Sequence, residues 1–275
     1  MQNTAVISPS ALIIKRTQEQ RGSELQAGAR AELAPSSLNM ALSSLAGRLS
    51  ARTMIKLFGV PAALNFITAR IDLLAAVMKR SVPPMIFSPL LVDLNAGFSP
   101  LGLALARDLP SARVIELDTP EVIHERERRL RRARAVALPP NLATIAVDLE
   151  QTPLIRALLG QRADVMTLTG GYMTHDELLQ VVTYLMGVLT PTGSLVVYLP
   201  WQEGIARMRY GVRLFKRQVG ELPGAFEHAD QIQALFRRAG YSQVTLHYPN
   251  QLATALGLPT PLLDLEVLVQ ARRVG

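Results

Sequence analysis

Apolar residues recur along this chain at two periods, and the two alternate. Short apolar runs stand at residues 90–94 (LLVDL), 112–118 (ARVIELD), 142–149 (LATIAVDL), 163–169 (ADVMTLT) and 193–200 (GSLVVYLP). Runs of this kind, bounded by turn residues, mark strands buried on both faces. Between them, apolar residues fall three and four apart in PLGLALARDL, TPEVIHERERRLRRARAVA, TPLIRALLG and THDELLQVVTYLMGVL, and then in ADQIQALFRRAG. That spacing predicts helices with one apolar face. Local signals agree: Thr119 precedes Pro120 as an N-cap, Thr174 and Glu177 have capping-box spacing, and Gly240 closes the last of these helices. Two late strands, QVTLHY at 243–248 and LEVLVQARR at 265–273, end the chain. The connection between them, PNQLATALGLPTPLLD, reads as more loop than crossover helix, which permits an antiparallel final strand.

From Ser37 to Arg80 the pattern is helical. Leu38, Ala41, Leu42 and Leu45 share one face, as do Ile67, Ile71 and Leu74, and Pro61 sits at a helix start. SVPPMIFSP ends this region, because consecutive prolines cannot continue a helix. Residues 1–35 are weakly periodic and read as a loose arm or a marginal helix. The division expected is therefore an N-terminal helical extension over 1–82 and a larger domain over 83–275. Strands alternating with helices imply right-handed crossovers. The fold class expected is α/β, a doubly wound, mostly parallel seven-stranded sheet. In such sheets ligands bind outside the carboxyl ends of the strands, where the strand order reverses.

Composition narrows the classes. At 49% hydrophobic and 19% charged residues the chain is globular. No apolar run reaches the ~20 residues of a membrane-spanning helix, and the N-terminus lacks the pattern of a secretory signal. Cysteine is absent, which removes disulfides, thiolate metal sites and thiol nucleophiles, and fits a cytoplasmic location. The net charge of +7 points to anionic partners. Six arginines (Arg126, Arg128, Arg129, Arg131, Arg132 and Arg134) crowd one predicted helix. Glu125 stands four before Arg129 and no aromatics interleave, so the run reads as a solvated face rather than a nucleic-acid surface. The favoured partner is a small molecule.

The turn after the first strand, Asp93-Leu94-Asn95-Ala96-Gly97-Phe98-Ser99, places small residues where a backbone must approach a ligand. Asp118 ends the next strand, where a carboxylate accepts hydrogen bonds from a ribose diol. A strict G-x-G-x-x-G would need glycine at position 95, where Asn95 stands. Asparagine is among the few residues that tolerate positive φ. Asp93 is expected to orient the turn.

These segments resemble the class I S-adenosylmethionine-dependent methyltransferases, most closely the leucine carboxyl methyltransferase-like branch and its bacterial O-methyltransferase relatives. LLVDLNAGFS is similar to the family's D-L-G-x-G-x turn, RVIELDTPEVI to its E-x-D-x-P segment, AVDL to its third-strand D-L pair, and ADVMTLTGGYMTHDELL to its E-G segment. The resemblance covers roughly residues 62–275. It implies S-adenosyl-L-methionine as cofactor, a Rossmann-like methyltransferase fold, and cofactor-binding roles for Asp93, Asn95, Ala96, Gly97, Asp118, Asp148, Leu149, Thr169 and Gly170. FITARIDLL resembles the arginine segment of the family's cap, which places Arg70 near the cofactor carboxylate. Thr169-Gly170 stands where the family has Glu-Gly, so a carboxylate expected near the cofactor is missing.

Candidate catalytic residues are His175, as a base or as a surface residue at a helix start, and Tyr172, as a pocket or packing residue. Trp201 with Arg207, Arg209 and Arg213 reads either as a wall of the acceptor pocket or as a structural insert. No His/Asp/Glu group has metal-ligand spacing, so no metal is expected. Three functions remain open: O-methylation of a small acidic or aromatic acceptor, methylation of a protein carboxylate or RNA, and a catalytically degenerate binding or regulatory protein.

Overall fold

A computed structural model describes residues 24, 26–31, 36–58, 61–133, 137–149, 152–169, 173–207 and 224–273. In chain order the elements are α1 (Ser37–Leu42), α2 (Leu45–Phe58), α3 (Pro61–Ser81), β1 (Leu90–Leu94), α4 (Leu101–Asp108), β2 (Arg113–Asp118), α5 (Pro120–Ala133), β3 (Leu142–Ala146) and α6 (Leu154–Ala157). They continue as β4 (Ala163–Thr169), α7 (His175–Met186), β5 (Leu189–Pro200), α8 (Gln202–Arg207), α9 (Ala229–Arg238), β6 (Gln243–His247), α10 (Pro249–Leu256) and β7 (Glu266–Arg272). The strands form one sheet in the order β3-β2-β1-β4-β5-β7-β6. Neighbours from β3 to β5 are parallel. β7 runs antiparallel between β5 and β6.

Each strand keeps its place because both faces of the sheet are covered. β1 is buried along its whole length, as a central parallel strand requires. On one face, α7 and α9 pack Leu178, Val182, Leu185, Ile232 and Phe236 against Val92, Met166, Leu195 and Val197. On the other, α3 sets Leu73, Leu74, Val77 and Met78 against Leu91, Val165 and Val196. Each such side chain contributes about 1.5–3 kcal/mol relative to exposure. α3 is thus a covering helix of the sheet. Among the described residues, no helix is long and apolar enough to cross a membrane.

The local start and stop signals act as their chemistry requires. Thr174 accepts from the Glu177 N–H while the Glu177 carboxylate accepts from the Thr174 N–H, a complete capping box. Gly240 lies at φ 100° after α9. The segment between β6 and β7 departs from the expected loop, because it contains α10. Pro249 at its first turn and Gly257 at φ 67° are ordinary start and stop residues. In the N-terminal arm, read as a loose arm or a marginal helix, residues 26–31 are helical and Ala27, Ala29 and Ala31 are buried. A Cβ at Gly28 would collide with the Gly47 carbonyl of α2, so the two segments meet backbone to backbone. Small residues make that contact possible and leave no bulky apolar period in the sequence.

Candidate functional site

The strand order reverses between β1 and β4, and the carboxyl ends of β1, β2, β3 and β4 converge on that point. The chain leaves β1 through residues 95–99, with Asn95 at φ 57° and Gly97 at φ 52°. Both are left-handed, a conformation open to asparagine and glycine at small cost. The Ala96 N–H donates to the Leu117 carbonyl at 3.1 Å, tying the turn to β2. Asp118 does more. Its Oδ2 accepts from the Gly97 N–H at 2.7 Å and its Oδ1 from the Thr119 N–H at 2.7 Å. The turn is therefore oriented by Asp118, and the expectation that Asp93 does this is corrected. Asp118 itself is half-buried at the end of β2.

Beneath the turn lies a residue that the sequence concealed. Arg126 is fully buried; its guanidinium donates to Glu116 at 2.6 and 3.1 Å and to the carbonyls of Ser99 at 2.6 Å and Gly97 at 3.1 Å. It fixes the turn from below. Arg129 also faces inward: it pairs with Glu125 and Glu24 and lies 3.9 Å over the Phe98 ring. The run is thus not the uniformly solvated face expected of it. Arg128, Arg131 and Arg132 are exposed, the first two paired with Glu125 and Glu127; Arg134 lies outside the described residues. The signal was present, since Val122, Ile123, Arg126 and Leu130 form one helical stripe and all are buried. Glu116, an acid inside an apolar strand, called for a buried cation.

Asp93 differs from every other acid nearby. It is 5% exposed, and among the described residues no hydrogen bond reaches its Oδ2. The contrast is with Asp164 at the opposite end of the sheet, whose carboxylate accepts from the Leu90 N–H and the Thr190 hydroxyl. Burial pushes the Asp93 carboxyl well above the usual carboxylate range; Glu116 and Asp118 add to the rise, and Arg126 and Arg70 oppose it. An orphaned buried carboxyl under a backbone turn fits a ligand that brings its own donor or positive charge.

Asp148 follows β3 and is half-buried, with Leu149 beside it 36% exposed. Both stand at the same edge of the sheet, past Ala146, the partner of Asp118 in the register. Thr169 ends β4, and Gly170 and Tyr172 lie outside the described residues. His175 is exposed at the first position of α7 and stacks on Phe226, with centroids 4.1 Å apart. Trp201 is buried in the core against Tyr248, Arg207 is exposed and pairs with Glu203, and Arg209 and Arg213 lie outside the described residues.

Arg70 is buried at the same edge and held on several sides. Its Nε and Nη2 donate to Glu266 at 2.6 and 3.3 Å and its Nη1 to Gln26 at 3.3 Å. Its guanidinium lies 4.2 Å over the Tyr198 ring, whose hydroxyl donates to the Arg70 carbonyl at 2.7 Å. A cofactor carboxylate would have to compete with Glu266 for it.

No family model and no curated protein matches the chain. Solved structures do. The plantazolicin methyltransferase BpumL in complex with SAH superposes with a TM-score of 0.56 at 10% identity, over 94% of this chain and 99% of that one. The S-adenosylmethionine-dependent methyltransferase SibL, in its apo form, gives 0.52 at 16% identity. That match covers 80% of this chain, which spans only 61% of the SibL chain. An O-methyltransferase family protein from Burkholderia thailandensis gives 0.50 at 16% identity, over 93% of this chain and 70% of that one. The chain has the class I methyltransferase fold.

Proposed function

We propose that this chain is an S-adenosylmethionine-dependent methyltransferase that O-methylates a small acidic or aromatic acceptor. The observation that carries the reading is the carboxyl edge around the left-handed turn. There the buried Asp93 Oδ2 has no partner among the described residues, while Asp118 stands at the end of β2. Those acceptors suit the donors of S-adenosylmethionine, whose methionine part carries an ammonium group and whose ribose carries two hydroxyls. When bound, the cofactor supplies a methyl group already activated on a sulfonium. In this reading Asp118 accepts from the ribose, Asp93 faces the cationic end, and Asp148 with Leu149 flanks the adenine. The backbone of Asn95, Ala96 and Gly97 forms the floor, with Thr169 and Gly170 on the β4 side.

With the methyl group activated, holding the acceptor in line supplies much of the acceleration. A carboxylate acceptor needs no base, whereas a phenol does. His175 stacks its ring face on Phe226, which leaves its nitrogens able to serve as base for a phenol. The inward turn of Arg126 and Arg129 takes weight from a nucleic-acid substrate. The helices ahead of α3 act as a cap beside the sheet, in keeping with the Gln26–Arg70 and Glu24–Arg129 contacts. The cysteine-free composition suits a cytoplasmic enzyme.

The test is calorimetric titration with S-adenosylmethionine and S-adenosylhomocysteine, with Asp118→Ala alongside. Expected is a Kd on the order of micromolar, lost in the variant because both the ribose acceptor and the anchor of the turn are gone. A folded wild type that binds neither nucleoside overturns the reading.

A further inference from the structure

The three most exposed large apolar side chains among the described residues are Met85 at 93%, Phe87 at 91% and Leu159 at 85%. All three sit in the loops that enter β1 and β4, at the edge of the sheet opposite Asp93 and Asp118. Single exposed apolar residues are ordinary, but these meet in one place. β1 and β4 are neighbours with Leu91 opposite Val165, and the Leu90 N–H donates to Asp164 at 2.8 Å, so the two loops enter side by side. Arg113 ties them together: its N–H donates to the Pro89 carbonyl at 2.9 Å and its guanidinium to Gln161 at 2.7 Å. Phe87 and Leu159 each stand two residues from one of those bonds.

Both loops are built to hold these side chains outward. Pro83 and Pro84 fix the backbone of the first. There the Ile86 N–H donates to the Pro83 carbonyl at 3.2 Å, and Ile86 is half-buried between the exposed Met85 and Phe87. In the second, Leu159 directly follows the C-cap of α6 and has φ 53°. That is the position glycine usually takes, and a leucine there is strained. The chain thus carries strain and exposed apolar surface at the same residue, a combination that folding alone does not reward.

The surroundings are cationic. Arg80, Arg113, Arg156 and Arg162 are exposed at this edge, and the exposed acid Asp108 is already paired with Lys79 at 2.7 Å. Apolar tips among arginines match a layer of anionic headgroups over acyl chains. A second copy of the chain would bring its own arginines against these, and a polynucleotide offers nothing to Met85 or Leu159. We propose that this edge docks on an anionic lipid bilayer, with Met85, Phe87 and Leu159 entering the acyl boundary and the arginines meeting the phosphates. The turn around Asn95 and Gly97 lies at the far end of the strands and stays open to water, so docking and cofactor binding are separable.

The experiment is sedimentation of the full chain with vesicles of phosphatidylcholine, either alone or with about one-third phosphatidylserine. Wild type is expected to pellet with the anionic vesicles, less so as salt rises, and to stay in solution with the neutral ones. Phe87→Ser should weaken binding by at least about fivefold. Leu159→Gly should weaken it similarly while the melting temperature holds, because glycine meets that φ without strain. Arg156→Gln together with Arg162→Gln should weaken it by about tenfold or more. The proposal falls if wild type ignores the anionic vesicles. It also falls if Phe87→Ser and Leu159→Gly pellet as wild type does, which would reduce the attraction to net charge. A Leu159→Gly variant that melts well below wild type would make Leu159 structural and overturn its role. A short RNA duplex that displaces the vesicles and binds both apolar variants as tightly as wild type would assign the arginines to a polynucleotide instead. A dimer seen by light scattering without vesicles, and lost in Phe87→Ser, would assign the edge to a second copy.

Discussion

Replacing Arg126 by methionine should be the most damaging single change near the site, and its size can be worked out in advance. The side chain is completely buried; it holds Glu116 with two hydrogen bonds and the carbonyls of Gly97 and Ser99 with one each. Removing one partner of a buried ion pair costs about 3–5 kcal/mol, because the other charge stays behind unpaired. The two lost carbonyl bonds add about 1 kcal/mol apiece. Arg126→Met should therefore cost about 5–7 kcal/mol, a large part of the 5–15 kcal/mol that typical domains possess. The pair itself is worth little, since burial pushes the Glu116 carboxyl up against the pull of Arg126. Removing Glu116 as well should restore most of the loss. The double variant Glu116→Leu/Arg126→Met is expected to cost only about 2 kcal/mol, the share of the carbonyl bonds. Urea unfolding of the two single variants and the double variant closes the cycle. A single variant costing under about 1 kcal/mol, or a double variant whose cost equals the sum of the singles, would refute the reasoning.

Two further outcomes follow from the same region. The raised Asp93 carboxyl binds its proton more tightly in the folded chain than in the unfolded one, so the stability it confers is full below the ordinary aspartate range and lost as pH rises through the folded value. Asp93→Asn, which cannot ionise, should raise the melting temperature at about pH 8 more than at about pH 5. Thermal unfolding across that range checks this, and an equal shift at both would contradict it. Gly102→Ala should cost about 1–3 kcal/mol in chemical denaturation, because the added Cβ meets the Glu116 carboxylate held by Arg126. Full tolerance would mean that Glu116 has room the packing denies it.

The strand skeleton was legible because each buried parallel strand is an unbroken apolar run. LLVDL and ADVMTLT match β1 and β4 residue for residue. What escaped has a physical reason each time. Residues 26–31 could be read only as a loose arm or a marginal helix, because they pack through Ala27, Gly28, Ala29 and Ala31, and small residues carry almost no periodic hydrophobic signal. Arg126 was hidden by its neighbours, since a charge on the inner stripe looks like any other member of a basic run until its helical phase is counted. Arg70 was placed through a resemblance near a cofactor carboxylate, and its pairing with Glu266, far along the chain, had no local signal. Trp201 sits in the core because its backbone bridges to Phe226, a pairing that residue type does not announce.

The place of β7 bears on how the chain is born. It lies between β5 and β6 although it follows both, and its first residue, Glu266, grips Arg70 across 196 positions. While the ribosome is still making the intervening stretch, β5 has one edge paired with β4 and the other open. That open edge bears Val196, Val197 and Leu199, the kind of surface that recruits chaperones or a neighbouring nascent chain. Translation pauses placed ahead of β7 should therefore lower the yield of folded protein more than pauses of equal length after it.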